Sequence, residues 1–150
     1  MKTAPLFTLA VDLGPMQDIG EGPNGYRRII PITGGRFEGR ISGDILPGGA
    51  DWNLVRPDGT VHLWARYTLR ADDGALIMIT NEGFQPGDPE TMDLILSGKP
   101  FDVSKWYART RPVFETAAAQ HKWINSRVFI GDLLAPKGPG SVKIEIHEVM

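Results

Sequence analysis

Residues 34–74 read GGRFEGRISGDILPGGADWNLVRPDGTVHLWARYTLRADDG. Four pairs of turn-forming residues interrupt this stretch: Gly34-Gly35, Gly48-Gly49, Asp58-Gly59 and Asp73-Gly74. Such pairs between alternating apolar residues are typical of β-hairpins, because tight turns need residues that adopt positive φ. The stretch therefore predicts consecutive antiparallel strands, and the turns decide which side chains share a face of the sheet.

The rest of the chain continues this pattern. Further strands are predicted over residues 6–13, 26–33, 106–115, 128–134 and 142–149, with a helical turn within 116–123. A short helix is predicted over residues 89–97, because Pro89 begins it, acidic residues follow and Gly98 ends it. At least eight strands favour a closed sheet, since closure removes exposed edges. We expect an all-β chain: one antiparallel barrel spanning residues 1–150, lipocalin-like or allene-oxide-cyclase-like, with one or two short helices.

Composition narrows the classes of function. The 150 residues suit one domain, and the formal net charge of -2 offers no electrostatic reason to bind nucleic acid or an anionic membrane. The chain has no cysteine, so disulfides and thiolate chemistry are excluded. No apolar run is long enough for a signal peptide or a membrane span. We expect a cytoplasmic protein whose partner is a small molecule.

The predicted turns give a hypothesis about the site. If Asp58-Gly59 is a two-residue turn, Asp51 lies opposite Arg66, and residues that lie opposite one another point to the same face. Trp64, Asn53 and Asn81 share that face. The face is either a solvated exterior with a weak surface ion pair or a polar lumen in which Asp51 and Arg66 point at a ligand. A shift of one residue would exchange the two faces.

Other polar and aromatic residues are also candidates. Glu115 is either a buried general acid or base, or half of a structural pair with an arginine. Tyr107 belongs to the core or to a cavity rim. Trp123 and Asn125 supply an aromatic wall and an amide donor, or they cap and pack the last strands.

Two familiar patterns are set aside. Residues 20–25 match the G-x-G-x-x-G pattern, but they precede a predicted strand rather than the helix that a dinucleotide site needs. The histidines His62, His121 and His147 lack metal-ligand spacing, and no G-x-S-x-G motif occurs. We therefore expect no metal and no organic cofactor.

Several short elements, among them Tyr26-Arg27-Arg28, residues 46–52 (LPGGADW) and Ala65-Arg66-Tyr67, carry a resemblance that runs from about Phe7 to Val149. Through them the chain resembles the uncharacterised family called domain of unknown function 3237. The resemblance implies a compact antiparallel β-barrel, found in bacteria and fungi, without an established general activity. It also favours the lumen interpretation, because polar or large residues without a turn role fall in family-like motif elements. The elements that carry the resemblance are Tyr26-Arg27-Arg28, Gly34-Gly35-x-Phe37-Glu38-Gly39, residues 46–52 (LPGGADW), Asp58-Gly59, Ala65-Arg66-Tyr67, residues 72–75 (DDGA) and Phe114-Glu115-Thr116, and the family-like residues include Arg28, Asp51, Arg66, Glu115, Trp123 and Asn125.

These residues support one leading hypothesis. We expect an isomerase, cyclase or lyase that acts by proton transfer on an aromatic or polyketide-like carbonyl compound, with Asp51 or Glu115 as base or acid. Arg66 or Arg28 would hold a carboxylate or a developing enolate. A barrel that binds a small ligand without turnover is the alternative, and an assembly protein, including a homodimer, is a third. The expected ligand-binding residues are Arg28, Trp64, Tyr107, Trp123 and Asn125.

Overall fold

The computed structural model describes residues 1–150, apart from the side chain of Leu96. Strands make up most of the described chain. They are β1 (Thr3–Leu13), β2 (Gln17–Gly22), β3 (Gly25–Gly39), β4 (Gly43–Ile45), β5 (Gly49–Val55), β6 (Val61–Ala71), β7 (Leu76–Gln85), β8 (Arg109–Glu115), β9 (Phe129–Leu133) and β10 (Ser141–Val149). The helix α1 (Pro89–Leu96) and two 3₁₀ helices, Val103–Lys105 and Ala119–Ser126, lie in the longer connections.

The strands close into a barrel, as the turn pattern predicted. Antiparallel neighbours run in the order β1, β10, β9, β8, β7 and β6; both β4 and β5 then connect β6 to β3. Pairing of β3 with β1 completes the circle, which has eight positions, and β2 extends the sheet beside the start of β3. The prediction of an antiparallel barrel with short helices is confirmed.

Two predicted turns are wrong. Gly48-Gly49 joins β4 to β5, which both pair with β3 and β6 and not with each other. Gly34 and Gly35 lie inside the continuous strand β3 rather than between two strands. At Gly35, where φ is 134°, an added Cβ would lie 2.1 Å from the carbonyl oxygen of Ala10. The missing side chain lets β3 approach β1 closely at the seam of the barrel.

The predicted register between β5 and β6 is wrong by one residue. The connection has three residues, not two: the Arg56 amide donates to the Thr60 carbonyl, and Gly59 takes a φ of 84°. A type I turn followed by a glycine in this conformation is a common three-residue hairpin. Asp51 consequently lies opposite Ala65. Arg66 lies opposite Ala50 and so points to the other face.

The loop of the next hairpin, between β6 and β7, also has three residues instead of the predicted two. Ala71 and Ala75 form a backbone hydrogen bond across three residues that end in Gly74, with φ of 90°. Ala65 therefore lies opposite Asn81. Two shifts of one residue cancel across β6, so Asp51 and Asn81 face the same side, as the predicted register also had them.

The interior of the barrel has a filled half and a hollow half. In the filled half, the rings of Phe7, Phe37, Phe114 and Phe129 meet edge to face at centroid distances of 5.1–5.7 Å. Ile124, from the 3₁₀ helix Ala119–Ser126, is only 2% exposed and joins this core. In the other half, the side chains leave a cavity of about 190 Å³.

Candidate active site

The cavity is an aliphatic chamber with a few polar groups. The aliphatic part of its lining includes Val11, Ile30, Ile32, Leu63, Val142 and Ile144. The polar part includes Arg28, Asp51, Asn53, Tyr67, Asn81 and Thr110. A mostly apolar wall with few polar groups is typical of a small-molecule site.

Asp51 is held in place by two hydrogen bonds. The backbone N–H of Trp64 donates to its Oδ1 at 2.9 Å, and Asn53 Nδ2 donates to its Oδ2 at 3.1 Å. The ladder between β5 and β6 skips Trp52 and Asn53, so the Asp51 carboxylate occupies a gap in the backbone pairing. Burial raises the pKa of Asp51 despite these bonds and the nearby Arg28.

Arg28 is linked to Asp51 through Asn53. Its Nε and Nη2 donate to Asn53 Oδ1 at 3.0 and 2.6 Å. Burial lowers the pKa of Arg28 and the Asp51 carboxylate opposes that change, but a guanidinium stays protonated in proteins. The site therefore carries one fixed positive charge beside a carboxylate whose proton affinity is increased.

Three further polar groups face the cavity without partners. Within the described part of the chain, Tyr67 Oη, Asn81 Oδ1 and Thr110 Oγ1 are buried and make no hydrogen bond. Burial, and secondarily the charge of Asp51, raise the pKa of the Tyr67 phenol. The phenol is therefore neutral at physiological pH and has an O–H group that can donate a hydrogen bond to a ligand.

Arg66 and Trp64 do not join Asp51 in the cavity, contrary to the prediction. Both side chains lie on the outer surface, where the Arg66 guanidinium lies 5.2 Å from the Trp64 ring centroid and 5.7 Å from that of Trp52. The one-residue shift in register explains this placement. Trp64 reaches the site only through its backbone N–H.

Glu115 and Tyr107 also lie outside the cavity. Glu115 is exposed at the end of β8, on the outer face opposite Met78. Tyr107 is 52% exposed, with the Arg109 guanidinium 5.0 Å from its ring centroid. The exposed position of Glu115 is inconsistent with the alternative that this residue is a buried general acid or base.

Trp123 and Asn125 belong to the filled end of the barrel. The Arg40 guanidinium lies 5.1 Å from the Trp123 ring centroid, and this ring packs near Phe129. Asn125 accepts a hydrogen bond from the Thr116 amide and donates one to its carbonyl, each at 2.9 Å. Trp123 therefore packs against the core, and Asn125 holds the Thr116 backbone in place. Neither side chain lines the cavity.

Sequence reasoning missed Tyr67 and Thr110, and it named Asn53 and Asn81 only as members of a face. Three-residue loops at Asp58-Gly59 and Asp73-Gly74 would have placed Tyr67 on the face of Asp51. No sequence motif marks Thr110 as a site residue. Its partners on the adjacent strands are the glycines Gly83 and Gly131, which are distant from it in the chain.

The described residues contain neither a metal-ligand cluster nor a membrane-spanning helix. No three His, Cys, Asp or Glu side chains among them come close enough to hold a metal ion. None of the described helices has the length and apolar character needed to cross a membrane.

The fold and the cavity define a class: an antiparallel β-barrel with a polar cluster in an aliphatic chamber. Residues 1–149 match the family described as "Protein of unknown function (DUF3237)", and the chain belongs to that family. The expected family is thereby confirmed, over almost the whole chain.

Relatives extend this assignment. A "UPF0311 protein" of Rhodopseudomonas palustris (strain TIE-1) is 38% identical over 151 residues, covering 100% of this chain and 97% of the relative. The crystal structure of a "beta-barrel like protein" from Acinetobacter baumannii is 36% identical, with a TM-score of 0.85, covering 99% of this chain and 96% of the other. A crystal structure of "an enzyme from Penicillium herquei" has a TM-score of 0.70 at 18% identity, covering 97% and 93%. That last likeness shows the fold alone.

Proposed function

We propose that the protein is a small-molecule enzyme in which Asp51 moves a proton inside the barrel cavity, without a metal or organic cofactor. The observation that carries the proposal is a carboxylate that faces the cavity, is held by the Trp64 amide and Asn53, and has a pKa raised by burial. A base with increased proton affinity is better matched to chemistry near neutral pH.

The reaction class follows from the groups around Asp51. Asp51 takes a proton from the carbon beside a carbonyl; the C–H electron pair becomes a C=C bond, and the carbonyl π electrons move to oxygen. The neutral Tyr67 phenol donates a hydrogen bond to that oxygen, and the Arg28 charge favours the developing enolate. Return of the proton to another atom gives an isomerisation, and departure of a β-substituent gives a lyase reaction. Attack of the enolate carbon on a second carbonyl group of the same substrate forms a C–C bond and breaks that C=O π bond, and the new oxyanion takes the proton from Asp51, which gives a cyclisation.

The fold lends limited support to catalysis. The Penicillium herquei protein of similar architecture is described as an enzyme, so at least one chain with this barrel has an activity. At 18% identity that comparison carries no residue role to this chain. The proposal therefore depends on the cavity residues.

Hydrogen–deuterium exchange tests the proton transfer without requiring the natural product. Wild-type protein, incubated in D₂O with cyclohexanone or acetophenone, should exchange the protons beside the carbonyl faster than buffer does, as measured by NMR. Asp51→Asn should slow the protein-catalysed exchange by about 100-fold or more, in the range that general bases supply.

Glu38→Gln is the matched control, because this carboxylate is exposed on the outside of the barrel. It should exchange at the wild-type rate. Equal exchange by wild type and Asp51→Asn would exclude Asp51 as the base.

A binding barrel without turnover is the second candidate, and the aliphatic lining favours it. In that case the same ketones raise the melting temperature of the protein, because a ligand of the native state stabilises it. Exchange would then stay at the buffer rate for every ketone that binds. The pair of measurements separates the two functions.

A further inference from the structure

The cavity holds a second set of polar groups, which make no hydrogen bond to the Asp51–Asn53–Arg28 chain. Its members are Tyr67, Asn81 and Thr110, which are 4%, 3% and 6% exposed. Each lines the cavity and has a buried side-chain oxygen without a hydrogen-bond partner in the described chain. We call this set the inner cluster.

Such a cluster is costly for a fold that does not use it. A buried polar group without a partner destabilises a protein by about 1–3 kcal/mol, and most buried polar groups are hydrogen-bonded. Three of them around one cavity indicate that something other than the protein satisfies them.

Glycines make room for the Thr110 hydroxyl group. Thr110 on β8 lies opposite Gly83 on one adjacent strand and Gly131 on the other. An added Cβ at Gly131 would lie 2.3 Å from Thr110 Oγ1. A side chain at position 131 would therefore displace this hydroxyl group.

Thr110 and Arg28 lie on opposite walls. Going around the eight positions of the barrel, β8, which carries Thr110, is four positions from β3, which carries Arg28. Tyr67 lies on β6, which pairs with the strand that carries Asp51, so the inner cluster extends from the neighbourhood of Asp51 to the wall opposite Arg28.

Volume limits the part of the ligand that is enclosed. An aliphatic cavity of about 150 Å³ holds benzene. The present cavity of about 190 Å³ therefore encloses roughly eight non-hydrogen atoms, which is the size of one substituted ring.

We propose that the cavity binds a compound of single-ring size through a neutral hydroxyl or carbonyl group, which hydrogen-bonds to the inner cluster of Tyr67, Asn81 and Thr110. That this compound is the substrate rests on the function proposed above; that it binds does not. A charged group is rejected at the inner cluster, because none of its three members can neutralise it. A fused two-ring compound exceeds the enclosed volume.

A matched set of ligands tests the proposal on the wild-type protein. Phenol and toluene have the same number of non-hydrogen atoms and differ in one hydroxyl group. Calorimetry and thermal shift should show phenol binding at least about 3-fold more tightly than toluene, despite the stronger hydrophobic transfer of toluene from water. 1-Naphthol should bind more weakly than phenol. Toluene binding as tightly as phenol would overturn the proposal.

Two threonine variants test the inner cluster itself. Thr110→Val removes an unpartnered hydroxyl, so the empty protein should keep or gain stability while phenol affinity falls about 3- to 10-fold. Thr116→Val is the matched control, since its hydroxyl donates to the Leu76 carbonyl at 2.8 Å and is equally buried. It should lose stability without a change in phenol affinity.

The outcome for stability is as informative as the outcome for binding. If Thr110→Val destabilised the empty protein as much as Thr116→Val, the Thr110 hydroxyl would already be satisfied by ordered water, and the proposal would fail. Tyr67→Phe supplies a second variant with the same expected signature, should Thr110→Val not fold. Because these measurements need no turnover, phenol binding can succeed even if the exchange test at Asp51 fails, and the two proposals are judged separately.

Discussion

Asp51 shows at the scale of one residue how a strand can carry a reactive group. Its carboxylate accepts a hydrogen bond from the Trp64 amide, at the place where the β5–β6 ladder skips two residues. The neighbouring Trp52 carbonyl instead accepts a hydrogen bond from Arg27 Nη1 at 2.8 Å. Local backbone pairing is exchanged for a fixed carboxylate, so the side chain is positioned by the sheet itself rather than by a mobile loop.

The raised pKa of Asp51 predicts a specific pH dependence of stability. Well below the ordinary value of 3.8, the folded and unfolded chains both hold the proton, and Asp51 does not affect their balance. As pH rises, the unfolded chain loses that proton first, so ionisation favours unfolding until pH passes the folded pKa. Relative to wild type, Asp51→Asn should therefore gain stability between pH 3.5 and pH 7. Urea denaturation at both pH values measures this, and a difference that does not change with pH would contradict the raised pKa.

At the scale of the element, hairpin loops decide which residues meet. The loops that end in Gly59 and Gly74 each hold three residues. Each therefore shifts the register by one relative to a two-residue turn. One such shift is enough to send Arg66 outside while Asp51 stays inside.

Gly59 should stabilise its hairpin because its backbone adopts a positive φ, and not because a side chain would clash. Its φ is 84°, and an added Cβ would have no neighbour within 4 Å. Gly59→Ala should therefore lower the free energy of unfolding by about 1–2 kcal/mol, which is the cost of a side chain in the left-handed region. Gly138→Ala is the control, since its surroundings are equally open and its φ lies outside that region. It should change stability by less than about 0.5 kcal/mol. Equal effects in the two variants would contradict this account of the hairpin.

At the scale of the whole molecule, the barrel divides stability and binding between its two halves. The phenylalanine cluster and Ile124 fill one half. The other half remains hollow and holds the buried polar groups. Such a division is expected where a ligand site must coexist with a stable core.

Filling the hollow half should raise stability at the expense of binding. Ala65 lies on the cavity wall between Asp51 and Asn81. Ala65→Val should raise the free energy of unfolding by about 1 kcal/mol, because added methyl groups bury apolar surface, and should weaken phenol binding. Phe114→Ala in the filled half should instead cost about 3–5 kcal/mol. Chemical denaturation measures both, and a loss of stability in Ala65→Val would show that the cavity has no room to spare.

The shared face of Asp51 and Asn81 was predicted correctly only because two register errors of one residue cancelled. The turn residues and the strand pattern were enough to predict an antiparallel barrel, and the residues from Pro89 to Gly98 were enough to predict a short helix. These features depend on local backbone preferences and on strand periodicity, which neighbouring residues determine. Only the tertiary structure placed Arg66 and Trp64 outside, brought Tyr67 and Thr110 to the cavity with Arg28, and left half of the barrel hollow. Register depends on how many residues a turn contains, and closure joins strands far apart in the chain, so packing of the complete barrel decided the site.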